Sequence, residues 1–129
     1  MLIIPNLKSD EVSIEGFHRD ASPVYRDNNN APYFDLLSFE LTSFPSEKWM
    51  EEFRNCAADF IHEDIRDTCH FEGATLTLCT TKMYARSLQE FINSLKKAFD
   101  SVNTSLKEVR DREAEQEKEL NDILDNLKF

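Results

Sequence analysis

The chain has 129 residues, 40% of them hydrophobic and 31% charged, which is the composition of one folded domain rather than of a disordered segment. Its formal net charge is −10, from 25 acidic against 15 basic side chains, so its averaged field repels phosphate backbones and anionic lipid surfaces; neither nucleic acid nor membrane is an expected partner. Only two glycines are present, Gly16 and Gly73, too few for a turn-rich all-β fold or a glycine-rich phosphate loop.

The N-terminal residues 1–5 have no basic flank and only a short apolar run, which does not match a secretory signal, and no run is long enough to span a membrane. Cys56, Cys69 and Cys79 are odd in number and form no C-x-x-C pair. They read as small buried hydrophobes in a reducing compartment, so a cytoplasmic protein is the expectation.

In chain order, Val12 and Ile14 alternate with polar residues as in a short strand that Gly16 kinks or ends. Residues 19–32 carry Pro23, Pro32, Asp27 and three consecutive asparagines, a loop longer than most connections in a compact domain. Within it Arg19, Asp20, Tyr25 and Arg26 combine charge with an aromatic anchor, making this the best candidate for a partner-binding loop, beside the plain alternative of a flexible connection.

Residues 33–42 are the clearest strand, with Leu37, Phe39 and Leu41 on one face. Pro45 is expected to open a helix whose apolar face is Trp49, Phe53, Cys56, Ala57, Phe60 and Ile61. Residues 64–73 read as an irregular connection, and 74–81 as a strand parallel to 33–42, because a helical crossover joins the two. Thr80 or Thr81 is expected to cap the helix that follows.

That last helix is the most informative element. Leu88, Ile92, Leu95, Phe99, Val102, Leu106, Val109, Glu113, Gln116, Leu120, Ile123 and Leu127 follow one another at alternating steps of four and three, a heptad stripe without a slip. No Gly or Pro interrupts the segment from Met83 to Phe129, which predicts one helix of about 45 residues and roughly 67 Å. Up to about Val102 the apolar set is widened by Tyr84, Ala85, Phe91 and Ala98 and suits packing on a sheet; from Ser105 onward it narrows to a coiled-coil seam. A turn-back at the polar 110–119 stretch is the alternative, though its residues are helix formers without turn chemistry.

These readings add up to an α+β fold in the order β-β-α-β-α, with a small mixed sheet of about three strands and helices mainly on one face. Residues 1–104 form a head, and 105–129 a helical extension for oligomerisation. The expected assembly residues are Leu95, Val102, Leu106, Val109, Glu113, Gln116, Leu120, Ile123 and Leu127, and the expected partner is a second copy, forming a dimer. In a parallel pair Glu113 would face its own copy, which leaves antiparallel pairing open.

Chemistry-bearing motifs are sparse. His62, Glu63, Asp64, Asp67, Cys69 and His70 are the densest set of metal-ligand types, with His62, Cys69 and His70 as weak candidates, but they match no recognised ligand spacing. Cys69 beside a histidine is the one nucleophile candidate, and no orienting third group is evident. No catalytic residue and no cofactor is therefore assigned. The expected function is a non-enzymatic interaction or adaptor module that self-associates through its C-terminal helix, in a narrower version an acidic chaperone or antagonist of a basic or apolar protein segment. The alternative is a small enzyme or ligand-binding domain with its site near 62–70 or, with Arg19, at a dimer interface.

Overall fold

A computed structural model describes residues 8–128; residues 1–5, read above for a targeting signal, and Phe129, where the long helix was expected to end, lie outside them. The described elements are β1 (Lys8–Ser9), β2 (Ile14–Phe17), a 3-10 turn (Arg19–Ala21), β3 (Tyr25–Arg26), β4 (Pro32–Leu41), β5 (Phe44–Pro45), α1 (Glu47–Cys56), a second 3-10 turn (Ala57–Asp59), α2 (Glu63–Arg66), β6 (His70–Glu72), β7 (Thr75–Tyr84) and α3 (Ala85–Asp125). The α+β class and the long C-terminal helix are as expected. The sheet has five strands rather than about three, in the order β2-β4-β7-β6 with β3 also paired on β4, and β1 and β5 form a separate parallel pair.

β7 runs antiparallel to β4, which corrects the expected parallel pairing. The crossover argument fails because it missed a strand. α1 leads from β4 into β6, and β6 does run parallel to β4, but a two-residue turn at Gly73-Ala74 sends the chain back and β7 fills the gap between them. Gly73 has φ of +59°, a backbone conformation that glycine adopts without the Cβ penalty other residues meet.

Leu37 pairs with Leu78 and Phe39 with Leu76, so one face of the sheet presents a row of buried aliphatic and aromatic side chains. Onto it pack Trp49, Phe53 and Ala57 of α1 and its extension, and Phe91, Leu95, Ala98, Phe99, Val102 and Leu106 of α3. Strand alternation puts Ser38, Glu40, Thr75 and Thr77 on the opposite face, which accounts for the polar half of both long strands. Trp49 is fully buried and meets Phe53, Phe71 and Phe99 with ring centroids 5.5, 5.6 and 4.8 Å away.

Helix boundaries differ in instructive ways. Ser46, not Pro45, begins α1: its hydroxyl accepts a hydrogen bond from the Trp49 N–H (3.1 Å), while Pro45 lies one residue outside, paired in β5. Neither Thr80 nor Thr81 caps α3. β7 runs on to Tyr84, and opposite the step from Phe34 to Leu36 in β4 it carries two extra residues, since Phe34 pairs with Met83 and Leu36 with Cys79. The bulge is held by the Thr80 hydroxyl donating to the Phe34 carbonyl (2.8 Å) and by the Lys82 N–H donating to Asp35 Oδ1 (3.1 Å), with Lys82 at φ +53°. α3 then runs unbroken for 41 residues, through the polar stretch at 110–119, so the chain does not turn back there.

Candidate interaction surfaces

The heptad stripe divides at the edge of the head. Leu95, Val102 and Leu106 are buried in the chain's own core, Val109 is half-buried, and every residue from Arg110 to Lys128 is exposed. Three of the nine expected assembly residues are thus already covered within one chain. The stripe residues that the head does not bury are Val109, Glu113, Gln116, Leu120, Ile123 and Leu127. Leu120, Ile123 and Leu127 are 54, 57 and 52% exposed, and Leu124, one turn beyond Leu120 and absent from a strict four-three reading, is 52% exposed beside them. The i, i+4 step from Leu120 was the available signal. Residues 113–128 carry six acids, Glu113, Glu115, Glu117, Glu119, Asp122 and Asp125, against Lys118 and Lys128.

The 19–32 segment is ordered by its own hydrogen bonds. Ser22 is buried: its hydroxyl donates to the His18 carbonyl (2.8 Å) and accepts from the Ser38 N–H (3.0 Å), clamping the 3-10 turn to β4. Asp27 Oδ1 accepts from the N–H groups of Asn29 (2.8 Å) and Ala31 (2.9 Å), and its other oxygen accepts from the Tyr84 hydroxyl (2.9 Å). The Ala31 N–H, foremost among these partners, holds the Asp27 carboxyl below its ordinary range, and Asp27 in turn raises the Tyr84 phenol.

The four candidate loop residues fall into two places. Arg19 and Asp20 line a pocket of about 360 Å³ with Phe17, Ser22, Val24 and Phe34. Tyr25 stacks on Tyr33 at 5.8 Å, Tyr33 meets Tyr84 at 6.1 Å, and Lys82 and Arg86 lie over the rings of Tyr33 and Tyr84 at 5.4 and 4.7 Å. All three tyrosines of the chain therefore gather at one corner, with Arg26 hydrogen-bonded to the Asn30 carbonyl alongside (2.9 Å).

The 62–70 candidates do not converge. His62 is the N-cap of α2, its Nδ1 accepting from the Asp64 N–H (3.1 Å); Cys69 is half-buried with its Sγ 3.5 Å from the Ile65 carbonyl; and His70 is exposed on edge strand β6. Among the described residues no group of three His, Cys, Asp or Glu is placed to hold a metal ion. Burial, reinforced by the charge of Asp67, pushes the Cys69 thiol up to about 12, the reverse of an activated nucleophile. Among the described residues no helix is long and apolar enough to cross a membrane.

No family model, no curated protein and no solved structure matches this chain.

Proposed function

We propose that the chain is a self-associating interaction module in which the α+β head presents a free C-terminal helix to a second copy. The supporting observation is the row Leu120, Ile123, Leu124 and Leu127, each about half exposed on a helix that has left its head. Covering the exposed half of four such side chains contributes roughly 4 kcal/mol per copy. Association costs several kcal/mol in lost freedom, so pairing is reversible and depends on concentration. The six acids flanking the row also suit a basic amphipathic segment of another protein as occupant of the same face.

Leu120→Asp combined with Ile123→Asp tests the assignment, because both side chains are exposed and their loss leaves the head core intact. Light scattering should show the wild type shifting from monomer toward dimer with rising concentration and the double variant remaining monomeric, with the head's thermal transition unchanged. A wild-type chain that stays monomeric into the millimolar range removes self-association.

A further inference from the structure

In the pocket between β2, the 19–21 turn and β3, an apolar floor meets two charged side chains, Arg19 and Asp20, that have no ion-pair partner among the described residues. Phe17 and Phe34 form the floor, edge to face at 5.8 Å, and Phe17 is braced from behind by Phe39 at 5.5 Å. Val24 is 55% exposed beside them, an aliphatic side chain that folding leaves uncovered. Ser22 is spent on the His18 carbonyl and the Ser38 N–H, so its hydroxyl fixes the shape of the pocket and polar recognition falls to Arg19 and Asp20. The turn that carries them is also closed by backbone bonds from Ala21 to His18 (3.3 Å) and from Ser22 to Arg19 (3.2 Å), so the site is preformed.

A volume of about 360 Å³ lies at the low end of ligand pockets and excludes nucleotide-sized molecules lying fully within it. The charges narrow the chemistry further. A ligand bearing only a carboxylate would gain from Arg19 and be repelled by Asp20, and one bearing only an ammonium would meet the reverse. A small zwitterion with an apolar side chain satisfies both and covers the two phenylalanine rings and Val24. The larger groove along α3, about 470 Å³, sets only Phe60 among polar and charged side chains and offers no such floor.

We propose that this pocket binds a free apolar α-amino acid, its carboxylate on Arg19, its ammonium on Asp20 and its side chain against Phe17, Phe34 and Val24. Two exposed ion pairs and a small apolar contact give a weak site, with a dissociation constant of about 0.1–1 mM. The site is independent of the helix that mediates self-association.

Titration of the full chain with L-phenylalanine and L-leucine, followed by amide chemical shifts, tests it. Saturable shifts are expected at Phe17, Arg19, Asp20, Val24 and Phe34. 3-Phenylpropanoate, which lacks the ammonium, and phenethylamine, which lacks the carboxylate, should each bind about fivefold more weakly. Arg19→Gln and Asp20→Asn should weaken the amino acid to the same degree, and Asp20→Asn should leave phenethylamine, already repelled by Arg19, no tighter than in the wild type. The absence of saturable shifts up to about 20 mM overturns the proposal. So do shifts confined to other parts of the chain, or equal affinity for L-phenylalanine, 3-phenylpropanoate and phenethylamine, which would mean an apolar pocket indifferent to charge.

Discussion

Asn103 ties together three parts of the chain with one side chain. Its Oδ1 accepts from the Trp49 indole N–H (2.8 Å) and the Val12 N–H (3.0 Å), and its Nδ2 donates to the Val12 carbonyl (2.8 Å). β2's approach, α1 and α3 are thereby fixed around the buried indole. Asn103→Ala removes the partner of the Trp49 indole N–H and of both Val12 backbone groups and should lower unfolding free energy by about 1–3 kcal/mol, read by chemical denaturation. The same amide belongs to an Asn-Thr-Ser sequence, and its Nδ2, the atom a glycan would take, already donates to the Val12 carbonyl. Cys69 offers a second test. Its folded value of about 12 stands above the ordinary 9.0, so the neutral thiol's contribution is complete below pH 9 and is lost as pH rises toward 12. Between those limits the wild type should lose about 1.4 kcal/mol per pH unit relative to Cys69→Ala, by denaturation at matched pH. In the native state Cys79, which is exposed, should be alkylated well before Cys69 at pH 8.

At the scale of elements, what could be read from the sequence was whatever repeats. Alternation marked β4 because Leu37, Phe39 and Leu41 recur on one face over ten residues, and the four-three period marked α3 over 41. β6 holds only His70, Phe71 and Glu72, one apolar residue and no period; the sole signal was Gly73, whose positive φ marks the turn. Missing that strand also reversed the expected direction of β7. β3, Tyr25–Arg26, was hidden in a run of turn-forming residues, and the bulge at residues 80–82 was hidden because threonines before a helix resemble a cap. The candidate pocket was half legible for the same reason: Arg19 and Asp20 stand out as charges, whereas Phe17, Val24 and Phe34 come together only when β2 and β3 settle on the same edge of β4. Gly73→Ala tests the hairpin that the sequence concealed. A Cβ there meets the Phe44 ring at an ordinary 3.5 Å, so the penalty is the left-handed backbone alone, about 1 kcal/mol by denaturation.

At the scale of the molecule, the continuity of one stripe constrains the geometry of the proposed self-association. Leu95, Val102 and Leu106 face the head along the same line on which Leu120, Ile123 and Leu127 stand free. In a parallel pair the two free seams would touch at an axis separation of about 8–10 Å while both heads claimed the space between the same helices one or two turns earlier. An antiparallel pair has no such conflict, because each stripe passes from its own head to the partner's helix. Val109 then lies opposite Leu127 of the second copy, Gln116 opposite Leu120, and Glu113 opposite Ile123, so no carboxylate faces its own copy across the seam. Two chains of net charge −10 still repel, and added salt should tighten the pair. A spin label on Arg110→Cys, in a chain whose three native cysteines are replaced by alanine, distinguishes the two arrangements. With residue 110 opposite residue 126 the labels are separated by about 24 Å along the axis, whereas a parallel pair holds them near one another at about 10 Å. A dimer with the short distance would retain self-association and reject the antiparallel geometry.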